Sequence, residues 1–93
     1  MTKPARTPKT VDELIGIAKW LAYQAWKKQL ASRGIWAPTQ EDLEGAALLG
    51  LAQALHRFDP ERGVRLSAFA APRIRGAIQD EIRRTDMMGR SFR

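Results

Sequence analysis

Cysteine is absent from this 93-residue chain, and histidine occurs once, at His56. The first absence excludes disulfide staples and cysteine-ligated zinc, so packing alone must hold the fold. No acidic residue stands at ligand spacing from His56, so no metal site is expected and it reads as a helix-end residue. No apolar run approaches the roughly 18 residues needed to cross a bilayer. The N-terminal stretch MTKPARTPKT is basic but lacks the apolar centre of a signal peptide, which makes the cytoplasm the expected compartment. Phosphate-cradling glycine loops and nucleophile motifs are missing too. Asp80-Glu81 is a pair of carboxylates, but neighbours on a helix point about 100° apart. Each also has an arginine three residues on, Arg83 and Arg84, with which to pair. Neither an enzyme nor a cofactor is expected.

Acidic charge is scarce where basic charge is dense. The formal net charge is +6, and all five lysines lie at or before Lys28. Eight arginines fall between Arg62 and Arg93 against only Asp80, Glu81 and Asp86, a local net of +5. Such an excess points to an anionic partner, most often nucleic acid. Arginine is suited to bidentate phosphate contact and to stacking on flat groups. On composition alone a solvated basic face is the plainer reading. With 44% hydrophobic and 28% charged residues, the chain is one small folded domain with a thin core.

Periodicity organises the rest. Residues 1–9 read as a flexible basic tail. Thr10 and Glu13 have capping-box spacing and open a helix expected over Val11 to Ser32. Its inward stripe is Leu14, Ile17, Ala18, Leu21 and Ala25, and Gly34 is its C-terminal cap. Trp20, Trp26 and Trp36 are spaced to pack the first helix and its linker, Ile35-Trp36-Ala37-Pro38. Thr39 is the next N-cap, with Glu41 and Asp42 complementing the helix dipole. Leu43, Ala47, Gly50, Leu51, Ala54 and Phe58 form the second stripe, which Leu48, Leu49 and Leu55 widen nearly all round. Only Glu44, Gln53 and His56-Arg57 interrupt it. A helix so apolar is buried between neighbours or covered by a partner. Asp59-Pro60-Glu61-Arg62-Gly63 reads as a turn, with Arg62 placed for a salt bridge to Asp59. Ser67 is the expected cap of a third helix, with Ala70, Ile74, Ala77, Ile78 and Ile82 inward, Pro72 about five residues in and a stop at Met87-Met88-Gly89. No segment reads as a strand. The expectation is an all-α domain of three main helices over residues 10–86, with a loose tail over 87–93.

On the third helix, Phe69, Arg73, Gly76 and Asp80 share a line, with Pro72, Gln79 and Arg83 beside it and Arg75 across the core stripe. A ring interleaved with guanidiniums is what a single-stranded nucleic acid needs. Arginines hold phosphates while the ring stacks on an unpaired base, and Gln79 can read a base edge. A phenylalanine near a helix start more often fills the core, and that is the competing reading for Phe69.

Two longer blocks carry a resemblance. The stretch from Asp42 to Gly63, with its FDPERG turn, and SAFAAPRIRGAIQDEIRR, Ser67 to Arg84, are similar to the second conserved region of bacterial sigma factors. The likeness is strongest toward the flagellar and stress-type alternative branch, which reads proline-arginine where this chain has Pro72-Arg73. It extends over roughly Thr10 to Arg93. The resemblance implies two partners: RNA polymerase core, bound through the clamp helices of its large subunit, and the melted non-template −10 strand of promoter DNA. By position it assigns Asp42, Glu44, Gly45, Ala46, Leu48 and Gln53 to polymerase. It assigns Arg65, Phe69, Arg73, Arg75, Gln79 and Arg83 to DNA, with Phe69 standing where relatives carry a tyrosine beside a flipped base. The chain departs from the pattern at Gly45, where glutamine is usual, at Glu44, where isoleucine is, and at Met87, in place of a tryptophan. A −35-reading domain is not expected within these 93 residues. A split factor with a separate −35-reading half, a phage or mobile-element regulator and a fragment of a longer chain therefore all stay open, as does control by an anti-sigma factor. Two rival functions also stand: a protein that occupies the clamp or a regulator without reading DNA, and a generic basic duplex binder.

Overall fold

The computed structural model describes residues 11–29 and 38–91. The Thr10 cap, the end of the first helix at residues 30–32, the Gly34 cap, Trp36 and the N-terminal tail lie outside the described residues. Within them the chain is all-α, with no strand: α1 spans Val11–Gln29, α2 spans Gln40–Arg57 and α3 spans Leu66–Ser91. A short 3-10 turn, Pro60–Arg62, joins α2 to α3.

The expected stripes of α2 and α3 are buried except for Phe58, Ala77 and Ile82, which are half-buried; in α1 only Leu14 and Ala18 of the expected stripe are buried, Ile17, Leu21 and Ala25 are half-buried, and Ala22, not foreseen, is buried. Leu14, Ala18 and Ala22 of α1, Leu43, Ala47, Leu51 and Ala54 of α2, and Ala70, Ile74 and Ile78 of α3 make one buried cluster. Half of those ten side chains are alanines, so the helix backbones approach closely. Gly50 takes this furthest: a Cβ there would lie 2.8 Å from the Arg73 carbonyl oxygen and 2.9 Å from the Ala77 Cβ. The large buried side chains are few, namely Leu14, Leu43 and Ile74. Each contributes roughly 1.5–3 kcal/mol by leaving water.

The starts and stops have local causes. Thr39 caps α2 through a reciprocal box: its hydroxyl accepts from the Asp42 N–H at 3.0 Å, and its own N–H donates to the Asp42 carboxylate at 3.1 Å. The connecting turn closes when the Asp59 carboxylate accepts the Glu61 N–H at 3.0 Å, and Gly63 takes φ +79° to leave it. That conformation suits glycine, which has no Cβ to clash.

Four expectations need correction. Ser67 is not the cap of α3: the Phe69 N–H already donates to the Arg65 carbonyl, so Ser67 sits inside the first turn. The helix also continues to Ser91, through the stop expected at Met87-Met88-Gly89. Pro72 removes the bond to the carbonyl four residues back, and the helix tolerates it. Arg62 does not pair with Asp59, whose carboxylate is turned to the backbone instead. Trp20 is no core residue: it is 58% exposed, because two residues beyond the buried Ala18 is about 200° around the helix. Trp26 does pack against the core cluster.

Candidate nucleic-acid interface

The end of α2, the 3-10 turn and the start of α3 enclose a cleft of about 390 Å³ lined by Arg57, Phe58, Asp59, Arg62, Val64 and Phe69. Phe58 closes α2 and Phe69 lies in the first turn of α3, so the turn between them folds one ring onto the other. Their centroids are 5.6 Å apart at an interplanar angle of 56°, within the range of favourable aromatic pairs. Phe69 is half-buried and packs against the edge of the core, as the core reading of it expects in part. The same ring also lines the cleft. Arg73, one turn along, places its guanidinium 4.6 Å from the ring centroid.

The electrostatics of this end favour an anion. Two arginines line the cleft against the single carboxylate of Asp59, which is already bonded to a backbone N–H. The first turn of α3 contains no acidic residue, unlike those of α1 and α2. An acid-free helix start leaves the positive end of the dipole uncompensated. A planar heterocycle carrying a phosphate matches these walls and this charge.

The other candidates fall elsewhere on the outer face of α3. Arg75 and Gln79 line a groove of about 190 Å³ between α3 and α1, with Lys28 and Gln24 across an apolar floor. Arg83 pairs with Asp80 at 3.4 Å, with both side chains largely exposed, so the pair contributes little and opens easily. Arg65 is exposed and its carbonyl opens the helix. The six residues thus do not form one pocket. Phe69 and Arg73 are together and Arg75 and Gln79 are together, whereas Arg65 precedes α3 and Arg83 lies further along it. Arg57, Phe58, Arg62 and Val64 were missed by sequence reasoning. Phe58 had been placed only on a core stripe and Arg62 only in a turn; the FDPERG turn that folds them against Phe69 was the available signal.

On the far side of α2, Gly45, Ala46 and Gln53 line a groove with Leu49, facing Ala77, Asp80, Glu81 and Arg84 of α3. Arg84 bonds Glu81 at 2.7 Å, and that hydrogen bond, then the attraction of the same carboxylate, raises the arginine pKa above its ordinary value. Leu49 is 59% exposed there. Leu48 and Glu44 do not line this groove, and Leu48 packs on the core. Asp42 is engaged in the cap. No helix of the described residues is long and apolar enough to cross a membrane, and none of their acidic or histidine side chains cluster as a metal site.

The small helical domain thus carries an arginine-flanked aromatic cleft at one end and, elsewhere between α2 and α3, a groove of mixed polarity bordered by Leu49. Residues 28–87 match the sigma-70 region 2 family, and the chain belongs to that family, on its flagellar-type side. It is 43% identical over 54 residues to RNA polymerase sigma-D factor of Bacillus subtilis, 58% of this chain and 21% of that protein. It is 41% identical over 51 residues to RNA polymerase sigma factor FliA of Pseudomonas aeruginosa, 55% of this chain and 21% of the relative. Against FliA of Escherichia coli K12 the identity is 42% over 53 residues, 57% of this chain and 22% of the relative. The chain thus spans about a fifth of the length of these relatives. No solved structure matches it. The relatives are sigma factors, which are not enzymes, and a sigma-factor-like role is the one this family supports.

Proposed function

We propose that this domain joins RNA polymerase core and engages the melted −10 strand of promoter DNA, with an unpaired base seated in the Phe58–Phe69 cleft. The observation that carries the reading is the cleft itself: an aromatic wall beside two arginines at an acid-free helix start. Extruding a base from duplex costs a few kcal/mol. Stacking on a ring returns about 1–3 kcal/mol, and Arg57 and Arg62 are placed to hold the flanking phosphates. Arg75 and Gln79, further along α3, are available to the upstream edge of the same element. The clamp helices of polymerase would cover the α2 groove, where Leu49 is exposed. Chemistry belongs to the polymerase.

The test is fluorescence anisotropy with a labelled non-template −10 oligonucleotide, its scrambled version and its duplex. The single strand of correct sequence should bind best, and Phe69→Ala should weaken it by about 1–3 kcal/mol. Equal binding by wild type and Phe69→Ala removes the stacking role. A second reading is favoured by one residue: Gly45 presents no side chain where the resemblance implies a polar anchor, and such a loss can cost 2 kcal/mol or more at an interface centre. Capture of polymerase core without oligonucleotide binding would instead support a clamp-occupying competitor. Oligonucleotide binding without capture would leave the DNA half alone.

A further inference from the structure

Resting on that reading, we infer that Arg73 is a positioning residue: its guanidinium is committed to the Phe69 ring, fixing the ring as a wall of the base cleft, and does not hold a phosphate. Arg73 is exposed, and among the described residues no carboxylate pairs with it. Its one side-chain partner is the ring, at 4.6 Å from guanidinium carbon to centroid. Phe69 lines the cleft and Arg73 does not. The cation therefore holds the ring from outside the space a base would enter, while Phe58 packs on it at 5.6 Å. Gly50, whose missing Cβ leaves room for the Arg73 carbonyl, lets the backbone from which the guanidinium extends lie close against α2. A guanidinium that left for a phosphate would release a half-buried ring to other rotamers.

The probes are a fluorescein-labelled oligo(dA) of about twelve nucleotides, within the usual footprint of single-strand binders, and a chain of abasic residues of the same length. The second presents the phosphates without bases. Arg73→Ala should bind oligo(dA) roughly two- to fivefold more weakly, the range of an exposed cation–π contact. It should bind the abasic chain as wild type does, with an unchanged log–log salt slope on both. Arg73→Met, which covers the ring without charge, should restore most of the oligo(dA) affinity. The proposal is overturned if Arg73→Ala weakens both probes alike, if the salt slope flattens by roughly 0.7 as for one lost phosphate contact, or if Arg73→Met fails to rescue. No change on either probe overturns it too. A wild type that binds oligo(dA) no better than the abasic chain removes the base-binding reading beneath it, a different failure. Because Arg73 is exposed, circular dichroism melts of both variants should overlay that of wild type.

Discussion

Gly50 and Gly45 lie in the same helix, and the same substitution should change stability in opposite directions at the two. Replacing either by alanine removes the helix penalty of glycine, a gain of up to about 1 kcal/mol. At Gly45 nothing approaches within 4 Å of the added Cβ, so Gly45→Ala should gain about 0.5–1 kcal/mol. At Gly50 the new methyl would meet the Arg73 carbonyl oxygen at 2.8 Å, the Ala77 Cβ at 2.9 Å and the Ile74 Cα at 3.1 Å. Two of those atoms are backbone and the third is rooted on it, so no flexible side chain can swing aside and α3 itself must shift. Overpacking of that kind costs about 1–3 kcal/mol. Set against the propensity gain, Gly50→Ala should end up to about 2.5 kcal/mol less stable than wild type. For a domain of this size that lowers Tm by up to roughly 20 °C. Urea and thermal unfolding followed by circular dichroism measure it, and the difference between the two variants isolates the clash because propensity cancels. If Gly50→Ala proves as stable as Gly45→Ala, the close packing of α2 on α3 is wrong, and with it the seat of Arg73.

Other expectations follow from single contacts. Thr39→Ala removes the hydroxyl half of the α2 capping box and should cost about 1 kcal/mol by urea unfolding; an unchanged midpoint would mean that the box is not formed in solution. Leu49→Glu should leave the melt unchanged, because the side chain is 59% exposed, and should abolish capture by polymerase core in a pull-down. Leu48→Glu is the poorer probe, since Leu48 packs on the core and its loss of capture would be confounded by unfolding.

Helix identity was legible in the sequence because period and caps agreed. The stripe from Leu43 to Ala54 is buried as its spacing requires, and of the expected inward set Ala70, Ile74 and Ile78 are buried while Ala77 and Ile82 are half-buried. Asp80 and Glu81 pair with Arg83 and Arg84 as the three-residue offset predicts. Trp20 was misplaced because spacing among tryptophans says nothing about phase against the alanine stripe. Ser67 was misplaced because a polar residue near a helix start resembles a cap even when a carbonyl upstream opens the helix. The cleft was legible only in part. Phe69 and Arg73 share a helix line and could be joined by period alone, whereas Phe58 and Arg62 reach them only through the folding of the intervening turn.

The small residues explain why two unlike surfaces coexist on so thin a domain. Large side chains between α2 and α3 would hold them apart, and the rings at their junction would then bury each other completely or lose contact. Alanine and Gly50 instead bring the backbones together at Arg73 and Ile74. This leaves Phe58 and Phe69 touching at one end of the pair, with a cleft beside them, and Gly45, Ala46 and Leu49 bordering an open groove nearer the start of α2. The contact at Gly50 borders both surfaces, because Ala77 lines the Leu49 groove and Arg73 stands over the Phe69 ring. A shift of α3 there should reach both. Gly50→Ala should therefore weaken oligonucleotide binding and capture by polymerase core together, at temperatures where circular dichroism still shows the helices. Loss of one activity with the other unchanged would show that the two surfaces are set independently.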